Sequence, residues 1–136
     1  MTYLLDTNII SDIRKPRPAP RLMAWFSEQD PDGLFISVLT LGEIREGVDR
    51  LTGREPSRAR ALDLWLRDLS TVYGDRVLPV DHLVADEWGR IRARAARSLP
   101  VVDSLLAATA RVHGLTLVTR NDKDFRDLGV QLLRPY

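Results

Sequence analysis

Apolar residues recur in two rhythms along the chain, and the rhythms alternate. Short runs rich in aliphatic, β-branched or aromatic residues at Tyr3–Leu5, Leu34–Val38, Val77–Val80, Leu115–Thr119 and Val130–Leu133 predict β-strands. Between them the polar and apolar positions follow a helical spacing. Helices are therefore expected over Thr7–Arg14, Pro20–Glu28, Thr40–Leu51, Pro56–Tyr73, Leu83–Arg97 and Asp103–His113, with a helical turn or two at Asp122–Asp127. The longest carries Ala59, Leu62, Leu66 and Leu69 on one face. Breaks fall where they should: Pro16-Arg17-Pro18-Ala19-Pro20 separates the first two helices, and Gly114 suits the position after a helix end. Pro79 places the third strand at an edge or makes it end there. Strands that alternate with helices imply an α/β fold with a parallel sheet covered on both faces and right-handed crossovers. The 136 residues fit a single domain over 1–136.

Composition narrows the class without naming a function. Hydrophobic residues make up 44% and charged residues 29%, as in a soluble globular domain. A net charge of +1 does not announce a nucleic-acid binder. Of 20 basic residues only Lys15 and Lys123 are lysine. Arginine suits phosphate, but a GC-rich genome gives the same bias, and both readings stand. The absence of cysteine excludes disulfides and thiolate metal sites and fits a reducing cytoplasm. The start of the chain lacks the basic region of a secretory signal, and no apolar run approaches the ~18 residues of a membrane span. A cytoplasmic, membrane-free protein is the expectation.

Four acids fall at strand-to-helix corners or helix starts. Asp6 follows the first strand, Glu43 lies early in the helix after the second, Asp103 opens the helix Asp103–His113, and Asp122 follows the fourth strand. In a parallel α/β fold these corners share one edge of the sheet, where ligands bind. Each acid has a structural alternative. Thr40-Leu41-Gly42-Glu43 fits a capping box, Asp103 suits a helix dipole, and Asp6 and Asp122 could each cap the helix or turn after it. As a set they are harder to explain so. Two carboxylates ~5 Å apart repel by roughly 3 kcal/mol at an effective dielectric near 20. Holding one aspartate protonated at pH 7 costs about 4 kcal/mol. A divalent cation relieves both, and hard oxygen donors without cysteine favour Mg²⁺ or Mn²⁺ over zinc. Such an ion can activate water against a phosphodiester. Thr7, Asn8, Thr119 and Asn121 could orient the carboxylates or the water, or simply form turns.

Four motifs, in order, are similar to those of one family. Leu5-Asp6-Thr7-Asn8, Ser37–Glu43, Val102–Ala110 and Leu117–Phe125 resemble the PIN-domain ribonucleases, and more narrowly the VapC-type toxins of toxin–antitoxin pairs, including the FitB-like branch. The resemblance runs nearly end to end. It implies a three-layer α/β/α fold around a central parallel sheet of about five strands, and Mg²⁺- or Mn²⁺-dependent cleavage of RNA. It places Asp6, Glu43, Asp103 and Asp122 as the acidic quartet that holds the metal, with Asp6 and Asp103 the principal ligands. Asp124 falls where some members carry a further acid, although an exposed turn explains it as well.

The resemblance also implies partners: a homodimer, and a small antitoxin with a DNA-binding part whose tail wraps the toxin and inserts a basic residue into the acidic site. An assembly on operator DNA through the antitoxin would result. The apolar faces of Pro20–Glu28, Thr40–Leu51 and Pro56–Tyr73 are candidates for the groove, with Trp25, Phe26 and Trp65 as anchors or as core residues. Arg45, Arg50 and Arg120 are candidate RNA contacts or ordinary surface charge. Two other classes stay open at this point. A receiver-like phosphoacceptor domain would need an acceptor near Val80-Asp81-His82. A non-catalytic binding module would use the acids only as caps.

Overall fold

A computed structural model describes residues 1–136. The strands are β1 (Tyr3–Leu5), β2 (Leu34–Ser37), β3 (Val77–Leu78), β4 (Thr116–Val118) and β5 (Leu132–Leu133). The helices are α1 (Thr7–Arg14), α2 (Pro20–Glu28), α3 (Val38–Leu51), α4 (Pro56–Tyr73), α5 (His82–Arg94) and α6 (Val101–His113). All strand pairs are parallel, in the order β3-β2-β1-β4-β5. The expected five-stranded α/β/α architecture is what forms.

Side chains alternate across each strand and so feed two separate cores. Leu4 and Leu117 point to one face, where they meet Val84 and Ile91 of α5 and Leu106, Ala107 and Ala110 of α6. Leu5 and Val118 point to the other, against Ile9 and Ile10 of α1, Ile44 of α3 and Leu66 and Tyr73 of α4. Trp25, Phe26 and Trp65 pack, partly buried, on the margin of this second core. Tyr3 and Trp25 meet edge to face at 5.1 Å, and the Arg14 guanidinium lies 5.0 Å from the Trp65 ring. Core packing therefore accounts for much of these aromatic surfaces.

Boundaries differ from expectation where capping decides them. Val38 begins α3 instead of ending β2, because the Ser37 hydroxyl accepts the Leu39 N–H at 3.0 Å and caps the helix. The capping box expected at Thr40–Glu43 does not exist: Glu43 lies more than a turn inside α3. Strand β3 stops at Leu78, before Pro79, and is an edge strand as the proline requires. Helix α5 stops at Arg94 rather than Arg97, and β5 keeps only Leu132–Leu133. Gly114 closes α6 in the left-handed region at φ 64°.

The strand order has one reversal. From β1 the chain proceeds outward through β2 and β3, whereas β4 lies on the other side of β1 and leads outward to β5. A crevice between the carboxyl ends of β1 and β4 results, the position at which open α/β sheets bind ligands. Residues immediately after these two strands are Asp6 and Thr119.

Candidate active site

Asp6 is fixed by the sheet and by its own helix. Its N–H continues the ladder to the Val118 carbonyl at 2.9 Å. One carboxylate oxygen accepts the Thr7 N–H at 2.7 Å and so caps α1. The other accepts the Thr119 hydroxyl at 2.8 Å and the Asn8 amide at 3.3 Å. Thr119 is fully buried and accepts the Asn121 N–H at 3.0 Å, which leaves its own proton for Asp6. The first strand thus delivers a carboxylate whose bonds all come from neighbours in the crevice.

Glu43 is tied to the same place by Thr7. The Thr7 hydroxyl lies 2.6 Å from the Glu43 carboxylate and 2.9 Å from the Thr40 hydroxyl. A carboxylate only accepts, so Thr7 donates to Glu43 and Thr40 donates to Thr7. Asp103 sits in the first turn of α6, after Pro100, and does not cap the helix. Asp6, Glu43 and Asp103 line one depression of about 460 Å³ that has no apolar lining residue. Thr7, Asn8, Asn121 and Arg120 line it too.

The charges in this depression act on one another. Burial raises the Asp6 carboxyl above the usual range; the Thr119 and Thr7 bonds work against that rise, while the Glu43 charge adds to it. Asp103 is raised first by burial, then by the charges of Asp6, Asp124 and Glu43, with Arg97 partly offsetting them. Asp12, also on the lining, is held low by Lys15, Tyr136 and Arg120 against its burial. Lys15 lies 2.8 Å and Arg120 3.0 Å from Asp12, so both lining cations are paired with that acid, although the Arg120 charge also reaches Asp6. Asp6, Glu43 and Asp103 keep a shared negative field that Arg120 and Arg97 offset only in part, since burial and like charges leave Asp6 and Asp103 raised. As the side chains stand, no three of them close on a single point. Hard oxygen donors that repel one another fit Mg²⁺ or Mn²⁺, since Mg²⁺ takes one or two carboxylates and keeps several waters.

The structure does not bring every candidate here. Asp122 lies in a neighbouring depression, 3.0 Å from Arg126 and 3.9 Å from Arg134, and these arginines hold its carboxyl below the usual range. The acid of this turn whose charge reaches Asp103 is Asp124. Arg45 is turned to Asp63 at 2.7 Å, and Arg50 to Glu46 at 3.4 Å, both along the α3 flank. Only Arg120 of the three arginines borders the acids. Asp81 caps α5 through the Val84 N–H beyond the edge strand, two strands from Asp6, so no receiver-like acceptor stands beside the site. Among Asp6, Glu43, Asp103 and Asp122, only Asp6 caps a helix.

Three contributors escape the sequence reading. Thr40 is buried and completes the Glu43 relay. Asp12 and Tyr136 anchor Arg120, with both Asp12 oxygens on its guanidinium and the Tyr136 hydroxyl donating to Asp12. The spacing of Asn8 and Asp12, one turn apart on α1, was the available signal for Asp12.

Comparison with known proteins identifies the family of the chain. The family model described as PIN domain matches residues 3–131. The chain is 31% identical over 136 residues to Toxin FitB of Neisseria gonorrhoeae, covering 98% of this chain and 97% of that protein. It is 30% identical over 136 residues to VapC ribonuclease Y4jK of Sinorhizobium fredii, covering 98% and 96%. The crystal structure of FitAcB from Neisseria gonorrhoeae superimposes with a TM-score of 0.91 at 31% identity over 98% of both chains. The structure of FitAB bound to IR36 DNA fragment gives 0.89 at 30% identity, covering 98% and 95%. A member of the VapBC family of toxin-antitoxin systems, VapBC-5 from Mycobacterium tuberculosis, gives 0.68 at 28%, covering 98% of both chains. With these motifs on this fold, the chain belongs to the PIN-domain family, among its VapC- and FitB-like members.

Proposed function

We propose that the chain is an Mg²⁺- or Mn²⁺-dependent endoribonuclease that serves as the toxin of a toxin–antitoxin pair. The observation that carries this reading is the meeting of Asp6, Glu43 and Asp103 at the β1–β4 crevice, where none of the three is ion-paired with a cation of the chain. Asp6 and Asp103 would hold the ion, and Glu43, oriented by Thr7, would complete the field. Asp124 supplies the fourth charge from the turn where Asp122 was expected. A dication bound there supplies an activated water and neutralises charge on the phosphodiester. The chain's own part is positional. Thr119 and Asn8 fix the face of Asp6 presented to the crevice, Thr7 and Thr40 fix Glu43, and Arg120 borders the site as a phosphate contact.

The relatives point to the partners. FitAcB, FitAB on DNA and VapBC-5 support an antitoxin that covers this chain and carries the pair to operator DNA. The three acids invite a basic residue from that antitoxin, since one guanidinium answers two carboxylate oxygens at once. A homodimer is part of the same reading. Cleavage of a labelled RNA in Mn²⁺ tests the function: Asp6→Asn should abolish it while far-UV circular dichroism stays unchanged. Undiminished cleavage by that variant would remove the proposed site.

A further inference from the structure

Beyond Arg120 and Asn121 lies a second depression, of about 580 Å³, which shares those two residues with the acidic one. It has no apolar lining; Arg120, Lys123, Arg126 and Arg134 outnumber Asp122 and Asp124. We propose that this depression is a subsite for the phosphodiester next to the one cleaved, and that Tyr136 sets the two arginines that hold it. The proposal rests on the nuclease reading above.

Tyr136 reaches both arginines. Its hydroxyl donates to Asp12, and Asp12 takes Arg120 Nη1 with both oxygens, at 3.2 and 3.0 Å. One guanidinium nitrogen is thereby engaged, and Arg120 keeps its other donors for a ligand. The Tyr136 ring lies 5.2 Å from the Arg134 guanidinium, and Arg134 Nε donates to the Arg120 carbonyl at 3.2 Å. Burial and Asp12 push the Tyr136 hydroxyl far up, so it stays a donor throughout the working pH range. Two planar cations, flexible on an ordinary surface, are thus fixed relative to one another through a single aromatic side chain. Fixing them beforehand lowers the ordering cost of binding, and guanidinium planes match phosphate oxygens.

The position points to a polynucleotide. The two depressions meet at Arg120–Asn121, so a strand with one phosphate at Asp6 and Asp103 that continues across this junction brings its next phosphate to Arg120 and Arg134. The Asp122–Arg126 pair stands in solvent, with the Arg126 side chain 64% exposed, so it yields readily to an incoming phosphate.

Two variants test this, Arg134→Gln and Tyr136→Phe; the second keeps the ring beneath Arg134 and loses only the bond to Asp12. Fluorescence anisotropy in EDTA would measure affinity for a labelled hexaribonucleotide at several salt concentrations. Arg134→Gln is expected to weaken binding several-fold and to flatten the log–log salt slope by roughly 0.7. Tyr136→Phe should weaken binding less. In Mn²⁺, the parent's kcat/KM should be higher on the hexanucleotide than on a dinucleotide with one phosphodiester. Both variants should lose part of that gain through KM, and Arg134→Gln should match the parent on the dinucleotide. Parent-like affinity and salt slope in both variants, or an equal loss by Arg134→Gln on the dinucleotide, would overturn the subsite, whether or not binding of an inhibitory protein weakens. A parent that cleaves neither substrate would instead overturn the nuclease reading and the subsite with it.

Discussion

Asp103 shows what a single residue contributes and costs. Its carboxyl is raised in the folded chain from an ordinary 3.8 by burial and by three like charges. A raised acid adds stability that is complete below the unfolded pKa and is lost as pH climbs through the folded one. Without metal, ionised Asp103 therefore opposes folding at pH 7. Asp103→Asn should melt higher than the parent in EDTA at pH 7, and the gain should vanish near pH 3; differential scanning fluorimetry across that range is the check. The turn after β4 gives a second comparison. Asp124 acts on Asp103 whereas Asp122 is held by Arg126, so Asp124→Asn should slow cleavage more than Asp122→Asn does. Equal initial rates for the two variants would contradict that ranking. Asp6, Glu43 and Asp103 were legible in the sequence because strand-to-helix corners fix where a side chain emerges. Which acid of the turn after β4 acts on Asp103 was not: in a 3₁₀ turn, residues two apart point about 120° away from each other, and spacing alone does not say which one does.

At the scale of elements, the site depends on how helices begin and end. Ser37, not Thr40, caps α3, which frees Thr40 to turn inward and frees Glu43 from any capping duty. From the pattern alone the cap falls three residues late, because Ser37-Val38 continues an apolar run with the look of a strand. Helix α6, which carries Asp103, ends at Gly114 with φ 64°. A side chain there costs about 1–2 kcal/mol in the left-handed region. Gly114→Ala should lower Tm by roughly 5 °C and leave the cleavage rate at 25 °C within twofold, since the strain falls at the end of the helix remote from Asp103. Thermal melts beside a rate measurement separate the two effects.

The whole molecule brings together what the sequence keeps far apart. Alternating strands and helices were readable from periodicity, but strand order was not, because consecutive elements do not declare their spatial neighbours. Only the order β3-β2-β1-β4-β5 sets Thr119 beside Asp6 across 113 positions. That arrangement leaves like charges facing one another, and on the proposed reading a bound cation would relieve them and link metal binding to folding. Mn²⁺ at 100 times its dissociation constant should stabilise the parent by about 2.7 kcal/mol. The Tm of Asp6→Asn should barely respond, and an equal rise in both proteins would place the ion elsewhere.

Strand β1 is paired on both flanks, and its ladder extends one residue further, through the Asp6 amide. An amide so placed is expected to exchange with deuterium only through global opening of the sheet. Nothing short of denaturation can pull that carboxylate out of register. A silencer that acts on Asp6 would therefore plug the crevice rather than shift the strand, and once it is released the nuclease would resume work without refolding.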